Sequence, residues 1–172
     1  MIQTDVERLL AAAPAPLPLT RAALRPLELA SDIQSDQAAV LFSAAPHPHA
    51  ALAGLLLRLG HWERSHTVAQ DIASPEGSYW HAIVHRMEPD PGNAAYWFRQ
   101  TGVHPVFPKL LTRAEELLRE TGPAHWHLKT AWDPFLFVNW CEEARRTGGA
   151  AETAATRIQL AEWHLLFDWC AG

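Results

Sequence analysis

Three times in this chain a capping side chain stands directly before a proline: Ser74-Pro75, Asp90-Pro91 and Asp133-Pro134. Each pair is a helix start. Ser or Asp accepts from the free amides of a first turn, and proline at the first helical position needs no amide donor. After Pro75, residues Trp80, Ile83, Val84 and Met87 fall at i, i+3, i+4 and i+7, which places four apolar side chains on one buried stripe. After Pro91, residues Ala94, Trp97, Phe98 and Thr101 line one side, and Gly102 supplies the stop. Two helices joined by so few residues lie antiparallel. A chain with this punctuation is expected to be all-α and built from helical hairpins.

Leu52, Leu55, Leu56 and Leu59 form a helical stripe closed by Gly60, and Trp62, Ser65, His66, Ala69 and Ile72 share one side of the next segment. Setting Arg58 on Arg86, Trp62 on Asp90 and Ser65-His66 on Asn93-Ala94 gives an offset of 28 residues. Successive hairpins at such periods point to a solenoid-like stack. Lys109 to Glu120 repeats Leu110, Ala114, Leu117 and Leu118. The segment from Phe135 to Arg146 has a stripe of Trp132, Phe135, Leu136 and Asn139, and the last helix, from Ala150 to Trp169, is expected to turn Ile158, Ala161, Leu165 and Trp169 inward. Residues 1–48 are different. Pro14, Pro16 and Pro18 favour an extended path, Pro26 interrupts the next apolar run, and the region reads as a loosely structured arm before a helical core at 49–172.

At 172 residues the chain is one domain, enough to bury about 70% of the surface of its unfolded form. A formal charge of -5, from 14 Lys plus Arg against 19 Asp plus Glu, offers no basic footprint for nucleic acid. No apolar run approaches the ~18 residues of a membrane span. Residues 1–19 lack the basic start and long apolar run of a secretory signal. Cys141 and Cys170 are too few for a disulfide framework, so the expected setting is reduced and cytoplasmic.

Ten histidines and eight tryptophans carry what chemistry the sequence offers. Eight indoles make a core of large, stiff pieces whose N–H groups need acceptors. His81 and His85, at i and i+4, aim two imidazoles in one direction; Glu88 follows at i+3, and His104 lies in the loop held by Pro105 and Pro108. His81, His85 and His104 would complete a set for a divalent metal such as Zn, Ni or Fe with one position open. The zinc-protease pattern places a glutamate directly after its first histidine, where this chain has Ala82. No nucleophile elbow, phosphate loop or dinucleotide fingerprint occurs.

Two functional readings follow. In the first, His81, His85, Arg86, Glu88, Tyr96, Arg99 and His104 line a His/Trp/Tyr surface that binds a small molecule or protein partner, with Arg86 and Arg99 on the outer edge of the hairpin or tied to Glu88 or Asp90. In the second, His81, His85 and His104 centre a metal-dependent or His/Glu acid–base enzyme. The run W-H-x3-H-R-x-E-x-D-x2-N-A-x-Y-W-F-R-x2-G-x-H-P-x-F, Trp80 to Phe107, resembles the signature of an uncharacterised helical family of bacteria and fungi. That resemblance implies a helical fold and carries no activity. The hairpin also resembles tetratricopeptide and Sel1-type repeats in architecture alone, without their consensus.

Overall fold

All three cap-plus-proline starts open helices. Ser74 accepts from the Gly77 amide, Asp90 from Asn93 at 3.1 Å, and Asp133 from Phe135 and Leu136 at 2.9 and 3.1 Å. The computed structural model describes residues 2–172, with side chains from Asp5 onward. Among these residues there are nine α-helices and no strand: α1 Ile2–Ala12, α2 Ala38–Leu41, α3 Pro48–Arg58, α4 Trp62–Gln70, α5 Pro75–Met87, α6 Pro91–Thr101, α7 Phe107–Thr121, α8 Pro134–Thr147 and α9 Gly149–Ala171. The all-α expectation is met. Among the described residues no helix is long and apolar enough to cross a membrane.

Helix α5 is central. It packs against α3, α4 and α6, and every residue from Glu76 to Val84 is buried, as are Arg86 and Met87. The expected stripe of Trp80, Ile83, Val84 and Met87 is therefore only part of a face that runs nearly all round. Close approach of α3 to α5 depends on Gly54, where a Cβ would meet the Trp80 ring at 2.5 Å. The hairpins α3–α4 and α5–α6 are neighbours through α5, which packs on both α3 and α4. However, α9 packs against α3, α7 and α8, so elements far apart in sequence close the array, whereas an open solenoid joins only neighbours.

Two helix faces are rotated from their expected positions. In α9 the inward residues include Ala155, Ile158, Gln159, Glu162, Leu166 and Cys170, while Trp169 is 41% exposed. The buried stripe carries Gln159 and Glu162, which a hydrophobic count assigns to solvent. Polar partners deeper in the core draw them inward instead. In α8, Phe137, Val138, Cys141 and Ala144 face the core, whereas Phe135 and Asn139 are exposed. Residues 2–47 contain little regular structure beyond α1, α2 and three short 3₁₀ turns, yet they are fastened to the helices. Arg58 donates to the Pro14 carbonyl, Arg145 to that of Leu19 at 3.0 Å, and Gln159 to that of Pro18 at 2.8 Å. Leu17 and Leu19 are buried beneath.

Candidate functional site

The helical step that places His81 and His85 on one ridge of α5 also aims them at α4, where His66 comes to meet them. His66 Nε2 and His81 Nε2 are 3.0 Å apart, a hydrogen bond in which one ring donates and the other accepts. One ring nitrogen from each of His66, His81 and His85 lies within 4.8 Å of the others. Indoles frame the group: Trp62 stacks on His66 at 5.2 Å between ring centres, and Trp97 on His81 at 4.0 Å. Trp62 is itself held by its N–H to the Val84 carbonyl at 2.9 Å.

Burial sets the protonation of this cluster. Burial, followed by the neighbouring charges of His66 and His85, pushes His81 down to about 4. Burial and His85 likewise lower His66, against an opposing pull from Glu88. Both rings are thus neutral at pH 7, the state that ligates metal. The Nδ1 of His81 is buried without a hydrogen-bond partner. Glu88 lies behind His85, its Oε2 3.2 Å from Nδ1, close enough to pair but misaligned for a hydrogen bond. Its other oxygen is 3.4 Å from Arg21, whose guanidinium covers the Trp62 ring at 4.5 Å. His85, Glu88 and Asp90 form a second, overlapping donor group. Asp90 is already committed, accepting from the Asn93 amide and from Asn93 Nδ2 at 2.7 Å.

The residues singled out in the sequence are dispersed over four places. His81, His85 and Glu88 meet at the cluster, and exposed Tyr96 stands edge-on to Trp97 at 5.2 Å. His104 does not join them. It is 1% exposed in a separate knot, its Nε2 3.7 Å from Glu76 and its ring edge-on to Tyr79 and Trp169. In the turn before α7 the Val106 amide donates to its Nδ1 at 3.3 Å, and the ring lies against the start of α5, about two helical turns before His85. The expected set of His81, His85 and His104 is thus replaced by His66, His81 and His85. The Trp62-to-His66 spacing at i+4, which puts an imidazole beside an indole on α4, is the signal that marks His66.

Arg86 is corrected more sharply. Neither at the outer edge nor tied to Glu88 or Asp90, it is fully buried and donates to Glu162 of α9. Tyr79 donates to the same carboxylate at 3.0 Å, Gln159 accepts from Arg86 at 3.3 Å, and the guanidinium rests 4.6 Å from the Phe137 ring centre. Burial alone would favour neutral arginine, but the charge and hydrogen bond of Glu162 together with Cys141 and Tyr79 outweigh it and keep the group ionised. Arg99 is exposed on α6 and borders a cleft away from the imidazoles.

Fold and site together define an all-α protein with a three-imidazole, indole-framed cluster between helices α4 and α5. No family model matches the chain, and no curated protein or solved structure matches it either.

Proposed function

We propose that this is a metal-assisted binding protein. His66, His81 and His85 hold one divalent transition ion of the Zn, Ni or Fe class, and a small molecule or protein partner supplies the remaining donor. The observation that carries this reading is the convergence of three imidazole donors from α4 and α5 within 4.8 Å. Three protein nitrogens leave a tetrahedral ion one open position. Glu88 behind His85 fits the carboxylate that commonly orients a ligating ring, and Trp62, Trp97 and Tyr96 offer flat apolar surface around the opening. The neighbouring hairpins support a partner-binding role, as in helical-repeat scaffolds.

The enzymatic alternative uses the same ion and needs a general base. The two nearest carboxylates are engaged, Glu88 with Arg21 and His85 and Asp90 with its helix cap, and His104 stands elsewhere. Binding therefore accounts for the arrangement with fewer uncommitted parts.

The test is metal content of untagged protein reconstituted separately with Zn(II), Ni(II) or Fe(II) and then desalted. One equivalent is expected for at least one of the three ions. It should be lost in His66→Ala, His81→Ala and His85→Ala and kept in His104→Ala. Glu88→Gln should weaken affinity by roughly 10–100-fold. Equal metal in wild type and His66→Ala, or no retained metal in any reconstitution, overturns the proposal.

A further inference from the structure

Helices α6 and α7 and the start of α8 border an open cleft of about 770 Å³, in the size range of small-molecule sites. Its wall is built from Phe98, Phe107, Leu111, Trp132, Pro134 and Phe135. At its border Val103 is 95% exposed and Phe135 39%, both large apolar side chains left uncovered. Trp132 is 6% exposed, and its indole N–H is buried with no acceptor.

The charges around this apolar space are few and unequal. Arg99, Lys129 and Asp133 are the charged residues of the lining. Asp133 is spent on the α8 cap and on Lys129, whose Nζ lies 2.5 Å away. Arg99 makes no ion pair or side-chain hydrogen bond among the described residues, and it stands exposed at the mouth. One unpaired guanidinium over an apolar cleft selects a ligand with an apolar body and an anionic head. A planar carboxylate matches the guanidinium fork with two parallel hydrogen bonds.

We propose that this cleft binds an amphipathic monocarboxylate, its hydrocarbon part against Phe98, Phe107 and Trp132 and its carboxylate on Arg99. The site is separate from the imidazole cluster and does not depend on a metal there.

The experiment is calorimetric titration of the full chain, in chelator, with decanoate, decan-1-ol and decyltrimethylammonium, each below its micelle concentration. Decanoate is expected to bind at one site at least tenfold tighter than decan-1-ol. Arg99→Ala should remove about tenfold of the decanoate affinity and leave decan-1-ol unchanged. Arg99→Lys should restore part of the loss, and Arg99→Glu should reverse the preference toward the cation. Because Arg99 is exposed and makes no ion pair or side-chain hydrogen bond among the described residues, these variants keep the fold. Equal affinity for decanoate and decan-1-ol, insensitivity to Arg99→Ala, or absence of saturable decanoate binding overturns the proposal.

Discussion

Arg86 and His85 are adjacent in sequence and face opposite environments. A step of 100° per residue is enough to separate them. His81, His85 and Glu88 share the ridge toward α4, while Tyr79 and Arg86, seven residues apart, share the one toward Glu162 of α9. The buried pair is not free stability, since removing two ions from water costs about what their attraction returns. Breaking it is another matter, because the survivor is left charged in the core. Arg86→Met is expected to lower unfolding free energy by about 3–5 kcal/mol. Arg86→Met with Glu162→Gln should recover most of that loss, because the neutral amide still accepts from Tyr79 and no bare charge remains. Urea unfolding of both variants checks this, and equal stability of the single and double variants would show that the charge is not what matters.

At the scale of elements, the contact between α3 and α5 rests on Gly54, which lies under the Trp80 ring and whose carbonyl accepts from Trp163 of α9 at 2.9 Å. A methyl there meets a rigid, fully buried indole with no room to swing. Gly54→Ala is therefore expected to cost about 1–3 kcal/mol despite the better helix propensity of alanine, whereas the same change at Gly92, where a Cβ meets only Asp90 Oδ1 at 3.6 Å, should be nearly neutral. Thermal unfolding of the two variants separates these effects. Helix starts were legible in the sequence because capping is local: Ser74, Asp90 and Asp133 each act within three residues of themselves. Hairpin pairing was legible for the same reason. What could not be read was anything that depends on α9. Glu162 and Gln159 look like solvent positions until Arg86, Tyr79 and the Pro18 carbonyl are known to face them, so the inward stripe of α9 was misassigned. His81, His85 and Glu88 were legible as a ridge from their spacing. His66 was missed as their third member, and His104 was misjudged, because both placements depend on contacts between elements. Of the indole acceptors, those of Trp62 and Trp163 are backbone carbonyls and those of Trp126 and Trp169 are carboxylates; backbone acceptors leave no mark in a sequence.

For the whole molecule, the buried titratable groups set how stability depends on pH. Burial is the leading cause that lowers His66, His81, His104 and His164 from an ordinary value of 6.5, with His81 reaching about 4. In metal-free protein above pH 6.5 these rings are neutral both folded and unfolded. Below it the unfolded chain takes up protons that the fold refuses, so stability falls as pH drops, and His81 alone contributes at most about 2 kcal/mol of loss by pH 5. Glu76 and Asp133 add to the loss at still lower pH: burial raises both, but for Glu76 its own backbone amide with Ser74, Trp169 and His47, and for Asp133 Lys129 with the Leu136 and Phe135 amides, together outweigh it and hold these carboxyls below their usual range. The alkaline side mirrors this. Burial pushes Cys141 up to about 11 and Cys170 to about 12, and it raises Tyr79 as well, so from pH 9 upward the unfolded chain loses protons that the fold retains. Stability is lost again as pH rises through that range. The expected profile is a plateau between about pH 6.5 and 9 with a falling limb on each side. Urea midpoints of metal-free protein at pH 5, 7.5 and 10.5 test it, and His81→Gln should shrink the difference between pH 7.5 and 5 while leaving that between 7.5 and 10.5 unchanged. A midpoint that holds or rises from pH 7.5 to 5 would mean that the imidazoles around α5 accept protons in the folded state, with enough water or negative charge beside them to carry the added charge.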